Sequence, residues 1–170
     1  MNWINYNPDK TLKGLEARYR IKDNILQIEL CGANHPRDWR ESIFVKTIEF
    51  KGYKYNSFYF GMAVDLYLHL HVFFDTIKHI EIRSHSMGGA VATIFDDLCY
   101  FSGTILVVKD NDSFQGCPRS GSVGQSVKIN KGDIVHIWPF WLEKYIIEYT
   151  DKKWQWPWKA HNDYNWRFRE

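Results

Sequence analysis

A chain of 170 residues has room for one domain with a real hydrophobic core, but little for elaborate insertions. Its net charge of +2, from 22 basic and 20 acidic residues with the basic ones scattered, leaves no electrostatic footprint for nucleic acid. Three cysteines (Cys31, Cys99 and Cys117) without metal-ligand spacing read as reduced thiols, and no stretch approaches the ~20 apolar residues of a membrane helix.

The N-terminal MNWINYNPDKTLKG is polar and lacks the apolar centre of a signal peptide. Residues 1–14 therefore read as a loosely ordered segment of a single domain spanning 1–170. The expectation is a cytoplasmic chain with no stable membrane insertion. Residues 17–21 and 25–30 are strand-like runs joined by Lys22-Asp23-Asn24, a hairpin signal. Asp38-Trp39-Arg40-Glu41 opens a short helix, with Asp38 as N-cap and Glu41 in the capping-box position. Residues 45–50 suggest an edge strand. Between Gly61 and Ile77, Ala63, Leu66, Leu70, Phe73 and Ile77 step by three or four, an amphipathic helix. A strand over 79–84, a helix over 87–101 and a strand over 104–108 follow, then a Gly/Pro-rich loop and strands near 126–130 and 145–149.

Strand, helix, strand in the middle implies a parallel βαβ unit, and the N-terminal hairpin adds antiparallel edge strands. The expected fold is a small three-layer α/β domain with a mostly parallel sheet. Ligands in such sheets sit at the carboxyl ends of the parallel strands, and Ser86 lies at one. The stretch Ser84-His85-Ser86-Met87-Gly88 approximates G-x-S-x-G, a strained turn that lifts a serine hydroxyl above the sheet. Small residues two before and two after let strand and helix approach closely. Taken alone, the pattern also fits a tight turn without chemistry. A serine hydroxyl needs a base, and the base an orienting acid. Downstream of Ser86 the histidines are His136 and His161, and among the acids Asp133 stands out in a loop leaving a strand.

Several segments, in order, resemble the fungal-type (class 3) triacylglycerol lipases. IEIRSHSMGGAVA is similar to that family's strand–GHSLGGALA–helix. Gly116-Cys-Pro-Arg-Ser-Gly121 resembles its G-x-P-R-x-G loop, Asn130-Lys-Gly-Asp133-Ile-Val135 with Pro139 its N-x-x-D-x-V…P, and His161-Asn-Asp-Tyr164 its H-x-x-Y. Upstream, Ile28 to Ala33 and then Asp38-Trp39 resemble F-R-G-T…D-W. The resemblance covers about 17–164. It implies an α/β-hydrolase fold and a serine carboxylic-ester hydrolase with an ester or lipid substrate and no cofactor or metal. Ser86 would be the nucleophile, Asp133 the acid and His161 the base; His136 lacks the H-x-x-Y context. The backbone N–H groups of Met87 and Ala33 would form the oxyanion hole. Two departures stand out: Ser84 replaces the first glycine, and Ala33 the usual Ser or Thr. No long insertion separates Trp39 from Gly61 to build a lid. A thioesterase or amidase on the same triad, or a non-catalytic binding protein retaining the fold, are the other readings.

Other residues draw attention. Aromatics make up 17% of the chain, including eight tryptophans. Core filling is one reading of them. Trp156 and Trp158, in the Trp154–Trp158 segment leading to His161, together with Trp39, are candidate substrate-binding residues; a loop pinned to the core by its tryptophans is the other reading of that segment. His69, His71 and His79 read as surface histidines. His85 is expected to point away from the site, into the packing on the opposite side, as a structural residue, and Asp96-Asp97 to face solvent. Oligomeric state is not encoded in any of these patterns.

Overall fold

A computed structural model of the chain describes residues 2–6, 16–32, 46–112, 126–133, 146–162 and 168. Strands β2 (Ala17–Lys22) and β3 (Ile25–Leu30) form the expected hairpin, registered from Ala17 opposite Leu30 to Lys22 opposite Ile25. The turn residues Asp23 (φ 54°) and Asn24 (φ 60°) are both left-handed, the geometry that matches strand twist in a two-residue hairpin. Residues 4–6, read from the sequence as part of a loosely ordered segment, form a further strand, β1 (Ile4–Tyr6), antiparallel to β2. Strands β4 (Thr47–Phe50) and β5 (Tyr53–Asn56) make a separate two-stranded antiparallel sheet.

The remaining strands are parallel: β6 (His79–His85) beside β3, then β7 (Val107–Asp112), β8 (Ser126–Ile129) and β9 (Ile146–Tyr149). The seven-stranded order is β1-β2-β3-β6-β7-β8-β9. The fold is thus a mostly parallel α/β sheet with an antiparallel N-terminal edge, as expected. Two boundaries shift. Helix α1 (Ser57–Leu70) begins before Gly61, because the Asn56 side chain accepts from the N–H groups of Phe58 (2.9 Å) and Tyr59 (3.3 Å). It tightens into a 3₁₀ turn over His71–Thr76 in place of running on to Ile77. The strand expected at 104–108 starts at Val107, since the Gly103 and Thr104 N–H groups still satisfy carbonyls at the end of helix α2 (Met87–Ser102).

One sheet face carries the core. Leu26, Ile28 and Leu30 on β3 and Ile80 and Ile82 on β6 are buried together with Met62, Leu66 and Leu70 of α1 and Val91, Ile94 and Phe95 of α2. Aromatic side chains do fill the core, as expected, but they are Tyr6, Tyr19, Tyr55, Tyr59, Phe74 and Phe95; of the four tryptophans among the described residues, none is fully buried. The opposite face is polar: Arg18 pairs with Glu29, and Arg20, Gln27 and Glu81 form a hydrogen-bonded row. The Arg18 and Arg20 guanidinium groups both lie over the Trp3 ring, and Glu29 also accepts from the Phe168 N–H. Asp97 is a correction to the sequence reading. It is buried and accepts a hydrogen bond from Tyr55 Oη at 3.2 Å, a tertiary contact from β5 that helical periodicity cannot reveal. Among the described residues, no helix is long and apolar enough to cross a membrane.

Candidate active site

Strand alternation delivers Ser86 to the top of β6. Ile80, Ile82 and Ser84 are buried toward the helices, while His79, Glu81, Arg83 and His85 take the other face. Ser86 then breaks the pattern with φ 54° and ψ −125°, a sparsely populated conformation for a residue with a side chain. Such strain costs on the order of 1–3 kcal/mol and persists only where packing enforces it. The enforcement is visible at Gly88. A Cβ there would lie 2.5 Å from the Leu30 carbonyl oxygen and 2.7 Å from that of Cys31, so the first turn of α2 rests directly on the end of β3. That contact also brings Gly32 against the serine: a Cβ on Gly32 would meet Ser86 Cβ at 2.9 Å and Ser86 Oγ at 3.4 Å. Bare backbone at Gly32 therefore borders the hydroxyl.

Met87 opens α2 and is fully buried. Its amide belongs to a helix first turn, where N–H groups lack intrahelical acceptors and partial positive charge accumulates. That is the environment an oxyanion requires. Ala33, the other expected oxyanion residue, lies outside the described residues, as do Trp39, His136, Pro139, Tyr164 and the Gly116–Gly121 segment.

The structure brings Asp133 and His161 together. His161 Nδ1 lies 3.2 Å from Asp133 Oδ2, and both residues are buried, at 4% and 2% exposure. With Nδ1–H donating to the carboxylate, Nε2 is the nitrogen left to exchange a proton. Helix α3 (Pro157–Asn162) carries His161, and a second buried residue fixes that helix to the strand end. Asn130, completely buried, donates from Nδ2 to the Ala160 carbonyl at 2.9 Å and accepts from Thr150 Oγ1 at 2.6 Å. One amide thus ties β8, the end of β9 and α3 into a single unit three residues before Asp133. Its position in the Asn130–Asp133 motif was legible in sequence; the clamp was not, because its partners are 20 and 30 residues away.

Gly132 completes this unit. Its φ is +102°, and a Cβ would collide with the Gln155 carbonyl oxygen, while Gln155 N–H donates to the Lys131 carbonyl at 3.0 Å. The turn before Asp133 and the segment before His161 are therefore in direct backbone contact.

His85 packs on the opposite face in a structural role, as expected, yet that packing places it against the site and not away from it. It lies on the sheet face opposite α1 and α2, and α3 arrives on that side. His85 Nε2–H donates to the His161 carbonyl at 2.7 Å, and the two rings lie 4.8 Å apart. Burial first, and then the neighbouring His161 ring, push the His85 pKa down to about 4, so its imidazole is neutral at pH 7. The residue beside Ser86 thereby holds the backbone of His161.

Trp154, Trp156 and Trp158 stand on the surface, at 64%, 76% and 66% exposure. Backbone contacts of Gln155 hold this segment, with the three indole rings largely exposed and not sunk in the core. Cys99 is a buried thiol, and burial raises its pKa to about 12, which makes it a poor nucleophile. Among the described residues, no group of three or more His, Cys, Asp or Glu could hold a metal ion.

No family model matches the chain, and no curated protein is significantly similar to it in sequence. Among solved structures the fold is similar to a triacylglycerol lipase whose catalytic centre is formed by a serine protease triad, at 16% identity and TM-score 0.61, covering 74% of this chain and 56% of that one. It is similar to a lipase from Rhizopus microsporus var. chinensis at 13% identity and TM-score 0.58, covering 79% and 54% of the two chains. For a triacylglycerol lipase from Penicillium expansum the values are 14%, 0.56, 88% and 68%. The chain spans little more than half the length of the first two. Its fold is that of these fungal lipases.

Proposed function

We propose that the chain is a serine hydrolase of carboxylic esters, lipase- or esterase-like, working through an acyl-enzyme on Ser86. The observation that carries the reading is the conjunction of a strained serine between β6 and α2 with a buried Asp133–His161 pair that His85 ties to the same strand end. In the first step the Ser86 Oγ–C bond forms as His161 Nε2 takes the hydroxyl proton, and the ester carbonyl becomes an oxyanion held by the Met87 and Ala33 amides. Collapse breaks the C–O bond to the alcohol, which leaves with the proton from His161. Water then attacks the acyl-enzyme by the same route and frees the acid. Asp133 holds the imidazole tautomer and stabilises the imidazolium; it does not itself become protonated. The natural substrate is an ester or lipid, and no cofactor takes part.

The test is hydrolysis of p-nitrophenyl esters of short and long acyl chains by wild type and Asp133→Asn. Turnover that falls by about 10³–10⁴ in a folded Asp133→Asn variant is the expected result, since the amide favours the wrong histidine tautomer. Turnover unchanged by that substitution, or absent from a folded wild type, would remove the proposal and leave a binding protein on a lipase fold.

A further inference from the structure

The segment between β9 and His161 presents an aromatic and cationic surface. Trp154, Trp156 and Trp158 are each more than half exposed, and the Trp154 and Trp156 rings lie 5.9 Å apart. Large apolar rings grouped in solvent mark an interaction surface. The backbone that displays them is fixed. Gln155 is bonded to Lys131 and packed on Gly132, the Ala160 N–H donates to the Trp156 carbonyl at 2.8 Å, and the Ala160 carbonyl is held by Asn130. Lys153 and Lys159 are exposed on the same segment and Lys152 is half-exposed; one exposed acid, Asp151, precedes them, and residues 152–162 contain none.

We propose that this face docks on an anionic phospholipid surface, with the tryptophan rings at headgroup depth and the lysines on the lipid phosphates. Tryptophan is the side chain that favours the membrane–water interface, and lysines beside it add attraction to an anionic leaflet. A second copy of the chain fits this face less well. A two-fold contact would set the lysines of one protomer against those of the other. Docking uses no chemistry at Ser86, so it stands or falls apart from the proposed hydrolysis. Should both hold, the short α3 helix would bring a lipid surface to the immediate neighbourhood of His161.

The experiment is co-sedimentation with vesicles of phosphatidylcholine alone or of equimolar phosphatidylcholine and phosphatidylglycerol. The proteins are wild type, Ser86→Ala, the pair Trp156→Ala/Trp158→Ala and the pair Lys153→Glu/Lys159→Glu, each checked for native circular dichroism. Wild type and Ser86→Ala should bind the anionic vesicles equally, and added salt should weaken binding. Each paired variant should bind about ten-fold or more weakly. The proposal is overturned if folded wild type stays in the supernatant, if both paired variants bind like wild type, or if neutral vesicles bind equally well. It is likewise overturned, in favour of self-association, if the tryptophans prove to hold a dimer in sedimentation velocity and no vesicle binding is seen.

Discussion

Replacing Asn130 with Ala tests whether the proposed base is positioned by a buried amide. The substitution deletes the hydrogen bonds to the Ala160 carbonyl and from the Thr150 hydroxyl, at a position with no solvent exposure. Each orphaned buried group costs about 1–3 kcal/mol, so a loss of about 2–5 kcal/mol is expected, less whatever water recovers. For a chain of this length that lowers Tm by roughly 5–15 °C. The site should lose more than stability accounts for. The Ala160 carbonyl precedes His161, and a shift of about 1 Å in a catalytic group can cost about 10² in rate. Urea denaturation and the rate of fluorophosphonate labelling, both measured below the unfolding transition, report the two effects. Thr150→Val serves as the control: it removes only the hydroxyl's bond, leaves the Ala160 tie in place, and should lower stability by about 1–2 kcal/mol with labelling near the wild-type rate. Asn130→Ala with stability within about 0.5 kcal/mol of wild type and unchanged labelling would refute the clamp.

Other outcomes follow from the same geometry. Gly132→Ala meets both a φ of +102° and the Gln155 carbonyl, and should lower stability by more than about 2 kcal/mol in chemical denaturation. Gly88→Ala inserts a methyl group 2.5 Å from the Leu30 carbonyl oxygen, so the elbow must lift from β3; stability and serine labelling should fall together. His85 gives a signed pH dependence. It is neutral in both folded and unfolded chains above its ordinary 6.5, whereas between 6.5 and about 4 only the unfolded chain takes up the proton. Its contribution to stability is therefore intact above pH 6.5 and lost as pH falls toward 4, on the order of 3 kcal/mol across that window. His85→Gln, which keeps an N–H donor but does not titrate, should show a shallower acid limb when unfolding is followed by denaturant titration across this range.

Local patterns made much of the fold legible. The β2–β3 turn reads from Asp23-Asn24, the core strand from the alternation of Ile80, Ile82 and Ser84, and the elbow from small residues around Ser86. Each signal is carried by neighbours in sequence. What escaped depends on partners far along the chain. Asp97 looks like a solvated helix carboxylate until Tyr55 reaches it from another sheet, and His85 looks remote from the site until α3 docks beneath it. Asn130 could be named as part of a motif, yet its reason is a carbonyl 30 residues on. The short strands β1 and β5 lack a period of their own; pairing with β2 and β4 defines them. Tryptophan content suggested core filling because composition cannot separate a buried ring from one displayed to solvent, as Trp154, Trp156 and Trp158 are.

The most direct test of the central claim is fluorophosphonate labelling of wild type, Ser86→Ala and His161→Ala, with the modified residue located by mass spectrometry. The probe reacts with an activated serine and ignores an inert one. Stoichiometric labelling of wild type on Ser86, absent from Ser86→Ala and lost or greatly slowed in folded His161→Ala, is the predicted result. No labelling of folded wild type, or labelling on Ser86 that is indifferent to His161, would contradict it.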